Sequence, residues 1–270
     1  MRRIVFGLLL LASFQSYLYA VDNLRLADVR SISMGGNEVT QSAFFNPSLI
    51  ALSESKSIQI NYFNKYLLKE LSTVNVSFRY PDNLLSAGVD IFSFGYDAYR
   101  ESMFRLSLSK QLSEKWSLGV SVQYTMLQTE LTERTILGLS TDLGITIHPV
   151  DNLLVGMLIM NLPSVPIKNK EVEIKDFMPY LLQLGFQWEI INDMLIIGSL
   201  GTSKEHILLG NAGFEYTVFN VFHIRGGIRG KPFIPSFGFG YDLSSFTINT
   251  AATYHSVLGI STGIGLSFSF

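Results

Sequence analysis

The sequence predicts an all-β chain that closes into a transmembrane antiparallel barrel of about fourteen strands, with a short segment folded ahead of the first strand. Three observations predict it. The chain ends on a long alternating strand, it carries no internal apolar run long enough for a membrane helix, and its connections alternate between short and long. From Leu258 to Phe270, Leu258, Ile260, Thr262, Ile264, Leu266, Phe268 and Phe270 share one face, and glycines and serines share the other. Side chains alternate faces along a strand, so one face is apolar and the other small and polar. Outer-membrane barrels meet lipid and lumen in this way. Ile264, Leu266, Phe268 and the terminal Phe270 are read as the barrel-assembly signal, which implies barrel-insertion machinery and outer-membrane lipid as partners.

Apolar residues make up 47% of the 270-residue chain, yet Gly, Ser, Asn or a charge interrupts every internal run within a few residues. High hydrophobicity without helical spans suits a barrel wall, because apolar residues there alternate instead of running together. The pattern is plain in Lys115–Leu127, where Trp116, Leu118, Val120, Val122, Tyr124 and Met126 oppose Ser117, Gly119, Ser121, Gln123 and Thr125. Met178–Glu189 repeats it, and a helix would instead place apolar residues at every third or fourth position.

The turns Pro81–Asn83, Ser113–Glu114, Pro149–Asp151, Asn192–Asp193, Phe219–Asn220 and Ser244–Ser245 are short. Lys65–Glu70, Asp97–Glu101, Thr129–Arg134, Pro163–Phe177 and Thr202–Glu205 are generally longer and more charged. That asymmetry is expected of periplasmic turns and outside loops. Fourteen strands are counted between Ser57 and Phe270. Aromatic residues near strand ends, among them Tyr62, Tyr80, Trp116, Trp188 and Tyr241, fit interfacial girdles.

The N-terminus reads as a cleaved secretory leader, residues 1–20: Arg2 and Arg3, then an apolar stretch from Ile4 to Phe14, then the small Ala20. This implies the outer membrane of a Gram-negative bacterium. Removing Arg2 and Arg3 from 20 basic against 22 acidic residues leaves a net charge of −4. No basic patch exists to neutralise phosphates, so nucleic acid is not a partner. The chain has no cysteine, which excludes disulfides, thiolate metal sites and a lipid anchor on an N-terminal cysteine.

Residues 21–56 show no sustained alternation and are assigned to a plug or hatch, with the barrel at 57–270. Asn46 is placed as a helix N-cap and Pro47 at the first helical position, where its missing N–H costs nothing. The stretch Asp28–Gly36, with Met34-Gly35-Gly36, followed by Phe44-Phe45-Asn46-Pro47-Ser48-Leu49, resembles the N-terminal hatch of the FadL superfamily. Its spacing and its F-F-N-P form are most similar to the PorV and PorQ branch associated with type IX secretion; the family's alanine after N-P is Ser48 here. The resemblance implies a fourteen-stranded barrel and an accessory or scaffold role beside a secretion-system partner. The alternative it implies is passive transport of small hydrophobic molecules, as in the fatty-acid transporter of the superfamily. A ligand would then pass the hatch and leave through an opening in the wall, for which Gly226-Gly227 and Gly238–Gly240 are the candidates.

Parity places Arg79, Asp90, Arg105, Asp142, Glu189, Glu215, His223, Arg225 and Arg229 in the lumen or near its rim as candidate ligand or ion-pair residues. Interior ion pairing is the stronger expectation, because a buried charge without a partner is expensive; Arg30 is expected to join the same network. Catalysis finds no support. His148, His206, His223 and His255 lie apart, His255 and Ser256 point in opposite directions on an extended backbone, and no acidic or histidine cluster has metal-ligand spacing. No cofactor is implied.

Overall fold

The structure is a computed structural model that describes residues 28–130, 135–168, 178–203 and 208–270. The leader assigned to residues 1–20 lies outside the described residues.

Fifteen strands form a single antiparallel sheet. They are β1 (Ser57–Asn64), β2 (Ser72–Tyr80), β3 (Ser86–Tyr96), β4 (Tyr99–Ser113), β5 (Trp116–Thr129), β6 (Ile136–Val150), β7 (Leu153–Met160), β8 (Ser164–Lys168), β9 (Leu181–Ile191), β10 (Met194–Ser203), β11 (Leu209–Val218), β12 (Phe222–Arg229), β13 (Ile234–Leu243), β14 (Phe246–His255) and β15 (Gly259–Ser269). All except β8 form a closed ring. β1 pairs with β15, with Ile60 opposite Leu266, and the backbone N–H of Phe270 donates to the Lys56 carbonyl at 2.9 Å. The apolar faces point outward. Ile60, Phe104, Leu106, Val120, Phe186, Phe239 and Leu266 are all exposed around the ring, whereas Asn61, Asn75, Ser107, Ser121 and Asn249 are buried inside it.

β8 departs from the expected strand set, which has only a loop over 163–177. It runs on from β7 along the same neighbour, β6. Leu143–Val150 pair with β7, and Leu137–Ser140 pair with β8. Between them the chain breaks at Asn161, whose φ is 57°. The break is one-sided. Thr141 of β6 still accepts from Leu162 N–H at 3.0 Å and donates its own N–H to the Pro163 carbonyl at 3.1 Å. On the other flank the β7–β9 ladder stops at Met160 opposite Leu181, and among the described residues β8 pairs only with β6.

The segment from Asp28 to Leu52 lies inside the ring. It opens with α1 (Val29–Ser33), a stretch without helical periodicity; the Asp28 carboxylate caps it by accepting from the N–H groups of Arg30 and Ser31. The left-handed Gly35 and Gly36 (φ 86° and 76°) turn the chain after it. Pro47–Leu52 is a 3-10 helix with Pro47 at its start, and the Asn46 side chain caps it by accepting from Ser48 N–H at 3.1 Å. Around the segment the inner wall is built from glycine. A Cβ on Gly119 would collide with the backbone of Pro47 and Ser48, one on Gly213 or Gly227 with that of Met34, and one on Gly238 with Ser33. Close approach, rather than turn geometry, calls for glycine at these positions.

Candidate functional site

The interior differs from one end of the barrel to the other. At the short-turn end it is polar. The Ser48 carbonyl accepts from Ser109 Oγ at 3.2 Å and Ser117 Oγ at 3.0 Å, so inward serines of β4 and β5 hold the 3-10 helix. The ionisable residues expected in the lumen are mostly there, and they pair. Arg79 meets Asp90 at 2.6 Å and Arg105 meets Asp142 at 3.0 Å. Glu215 takes both Arg225 at 2.5 Å and Arg30 of α1 at 3.0 Å. His223 bonds Asp242 at 2.9 Å and Thr217 at 3.0 Å, and Arg229 donates to the Gly35 carbonyl at 3.4 Å. The β12 cations therefore tie the N-terminal segment to the wall, and Arg225 is fully engaged by Glu215 and Asn249 Oδ1 (2.6 Å).

Glu189 is the one that lies at the rim. It is exposed, beside the Asn152 turn, where its N–H donates to the Asn152 carbonyl at 2.9 Å. It lies near the end of β9, where inward parity no longer means burial.

At the long-loop end the interior is apolar, which the sequence reading of a uniformly polar lumen missed. Phe92 and Phe94 of β3, Met103 of β4, Leu158 and Met160 of β7, Leu181 of β9 and Leu209 of β11 pack with Val39, Phe44 and Phe45 of the N-terminal segment. The signal was present: Phe92 and Phe94 share parity with Asp90, and Met103 with Arg105. A cavity of about 170 Å³ opens beside this cluster. Ile32 and Gly35 of the segment, Phe63, Leu209 and Ile234 of the wall, and Lys65, Arg229, Lys231 and His255 line it. Leu209 belongs to both the cavity and the cluster, and Met160 and Leu181 are at once cluster members and the last rungs before the strand break. Apolar side chains thus run from an opening at the loop end to the one interrupted seam among the described residues. In the Pro232–Pro235 stretch Phe233 is 64% exposed, while Ile234 and Pro235 begin β13.

The expected wall openings need correction as well. Gly226 and Gly227 pair in unbroken register with Phe214 and Gly213 on one side and Phe237 and Ser236 on the other, and Gly238 and Gly240 pair with Ala251 and Asn249. Inward Gly227 and Gly238 give room to α1 and its turn, and the wall is interrupted instead at Asn161. The motif residues Met34, Gly35, Gly36, Asn46 and Pro47 all lie inside the barrel, the first three against β11 and β12 and the last two against β5 and β6. Phe268 stacks on Phe270 and leans on Phe246, outside the closing seam. Among the described residues no cluster of three metal-ligating side chains occurs.

No family model and no curated protein matches the sequence. Solved structures do share its fold. The toluene transporter TodX of Pseudomonas putida aligns with a TM-score of 0.64 at 14% identity, over 89% of this chain and 97% of that one. The monoaromatic hydrocarbon channel CymD aligns at 0.65 and 15% identity, over 92% and 98%. A Pseudomonas aeruginosa FadL homologue aligns at 0.56 and 13% identity, over 90% and 97%. The fold is that of these outer-membrane channels. At such identities the likeness concerns architecture, and it covers nearly the whole of each channel.

Proposed function

We propose that the protein is a FadL-like passive conduit that takes small hydrophobic molecules across the outer membrane. The observation that carries this reading is the apolar path from the loop-end cavity, through the Phe44, Phe92 and Leu158 cluster, to the seam at Met160 and Leu181. The cavity itself carries Lys65, Arg229, Lys231 and His255 beside its apolar residues, but the cluster beyond it is apolar, and there an apolar solute is transferred from water at about 25 cal/mol per Å² of surface it buries. The short-turn end is filled by the 3-10 helix and by ion pairs, so straight passage along the axis meets buried charge. Sideways exit at the interrupted seam passes beside one buried pair, Arg105 and Asp142, whose charges are already matched. The N-terminal segment acts in this scheme as the hatch that shapes the path. The named functions of TodX and CymD, toluene transport and a monoaromatic hydrocarbon channel, suggest aromatic hydrocarbons as the first ligands to try.

The secretion-accessory role implied by the F-F-N-P motif gains no support from the comparisons, in which the structures of like fold are named as channels. An open polar porin fits poorly with a lumen occupied by residues 28–52.

The deciding experiment measures uptake of labelled toluene by a Gram-negative host lacking its own channels for apolar compounds. The chain has no cysteine, so Met160→Cys with Leu181→Cys places one disulfide across the last rung of the seam. Uptake is expected to rise on expression, to fall when the pair is oxidised and to return on reduction. Uptake indifferent to expression would overturn the conduit.

A further inference from the structure

We propose that the apolar interior selects single-ring phenols over bare hydrocarbons, and that Thr73 and Gln183 read the hydroxyl. This rests on the conduit reading for the apolar body of the ligand and adds the polar group that the body carries.

Serine hydroxyls of the polar end are used. Ser109 and Ser117 donate to the Ser48 carbonyl, and Ser121 donates to Asp142 at 2.9 Å. Two polar side chains set in the apolar half are not. Thr73 of β2 is 1% exposed and stands in register between Phe63 of β1 and Phe94 of β3. Phe63 lines the loop-end cavity and Phe94 belongs to the apolar cluster, so Thr73 lies where one meets the other. Its hydroxyl has no hydrogen-bond partner among the described residues. Gln183 of β9 is 3% exposed, pairs with Leu158 of β7 and shares its face with Leu181, both members of the cluster. Its stem lies across Gly201 of β10, where a Cβ would collide with it, and its Oε1 is also without a partner among the described residues.

Inward parity does not require polar residues at this end, since Phe92, Phe94 and Met103 occupy such positions. A buried oxygen left without a partner is costly, and a ligand that supplies the partner recovers that cost on binding. Gln183 Oε1 only accepts, whereas Thr73 Oγ1 both donates and accepts. The group that suits both is an O–H donor. A bare hydrocarbon leaves both oxygens unpaired, and a site that hydrogen-bonds a hydroxyl discriminates against the analogue lacking it. Mostly apolar walls with a few polar groups that fix orientation are the usual form of a small-molecule site.

The walls also suit a ring. The cavity holds about 170 Å³, and an apolar cavity of about 150 Å³ is enough for benzene. Phe44 and Phe45 already meet edge to face with centroids 4.8 Å apart, and Phe94 meets Tyr99 in the same way at 6.4 Å. A further aromatic ring extends that arrangement.

The test uses the full chain in lipid nanodiscs and measures binding of labelled p-cresol and labelled toluene, which differ by one hydroxyl, with the uptake of empty nanodiscs subtracted. p-Cresol is expected to bind about tenfold more tightly, the order of one net hydrogen bond. Thr73→Val keeps the shape of the side chain and removes the hydroxyl; Gln183→Leu removes the carbonyl. Each is expected to weaken p-cresol binding and leave toluene binding unchanged or improved, and the two together should bring the ligands level. An unpartnered polar group is replaced by an apolar one in each case, so both variants should fold, and retained toluene binding checks that they do. A merely structural role would lower both ligands together. Equal binding of the two by the wild type, binding of neither, or a preference that survives both single variants would overturn the proposal. So would tighter binding of 4-methylbenzoate than of p-cresol, because Lys65, Arg229, Lys231 and His255 around the cavity would then choose the ligand. None of these readouts involves transport. A preference for p-cresol in a protein that raises uptake of neither compound would remove the conduit and leave the hydroxyl site; toluene uptake by a protein that binds the two equally would do the reverse.

Discussion

Two seams of this barrel contrast sharply. The β12–β13 seam carries Gly226, Gly227, Gly238 and Gly240, yet every rung from Phe222 opposite Tyr241 to Arg229 opposite Ile234 is paired. The seam between the β7–β8 strand and β9 has no glycine near its break, yet its ladder ends halfway, at Met160 and Leu181. Glycine in a wall strand is thus a poor guide to where the described pairing ends. In β12 and β13 the missing Cβ atoms make room for α1 and the Met34–Gly35 turn, so these glycines serve packing. Among the described residues the ladder ends instead at an asparagine that tolerates positive φ, two residues before a proline and set in a polar network.

The largest expected effect breaks the packing half of this contrast. Gly227→Val would drive its side chain into the backbone of Met34 and Gly35. Overpacking that side chains can relax costs about 1–3 kcal/mol. Here the obstacle is backbone, so the N-terminal segment should be expelled and not merely strained. The ring of strands should still resist protease in detergent, while residues 28–52 become cleavable. A variant whose segment stays protected would mean that the wall, not the segment, gives way.

A second disruption acts on charge. Glu215→Gln leaves Arg225, 2% exposed, facing Arg30 with only Asn249 and a neutral amide as acceptors. Removing one partner of a buried pair costs about 3–5 kcal/mol. Urea unfolding in detergent should register that loss, and Arg225→Met added to Glu215→Gln should recover much of it. If the single variant unfolds at the wild-type midpoint, the pair is not holding α1 to β11 and β12.

Much of this molecule was readable beforehand. Alternation in Lys115–Leu127 and Leu258–Phe270 gave the wall, and Asn46-Pro47 gave the start of the inner helix. The ion pairing of Arg79, Arg105 and Arg225 followed from parity and the cost of lone buried charge. What escaped has physical reasons. Pro163 and Pro166 argue against a strand in a central position, but among the described residues β8 has one neighbour, and an edge accepts proline. The five residues of α1 make little more than one turn and are surrounded on all sides, so no amphipathic stripe develops. Asp28 two and three residues ahead of the N–H groups it caps was its one signal. Phe92, Phe94 and Met103 were missed as lumenal because an apolar residue of inward parity looks like noise in a strand otherwise polar inside. Parity left Glu189 between lumen and rim, because it gives a face and not a depth.

The seam itself offers a sharper comparison through exchange. Backbone amides of Gly227 and Ile228, paired on both sides, should exchange far more slowly than those of Val165 and Ile167 in β8, which has one partner. Equal protection in the two places would mean that the break at Asn161 does not weaken the wall, and the exit assigned to it would lose its basis.

The smallest effect separates the two uses of glycine most cleanly. Gly259 stands at the start of β15 with φ +90° and nothing within 4 Å of a built Cβ. It is needed for backbone conformation alone, whereas Gly227 is needed for space alone. Gly259→Ala should therefore cost only the left-handed penalty, about 1–2 kcal/mol, and Gly259→Asn less, since asparagine tolerates that region. At Gly227 the order should invert: alanine does less harm than asparagine, because every added atom meets Met34. Thermal midpoints of the four variants in one detergent give both series. If asparagine proves the milder substitution at both positions, conformation governs Gly227 too, and its place in the packing around α1 is wrong.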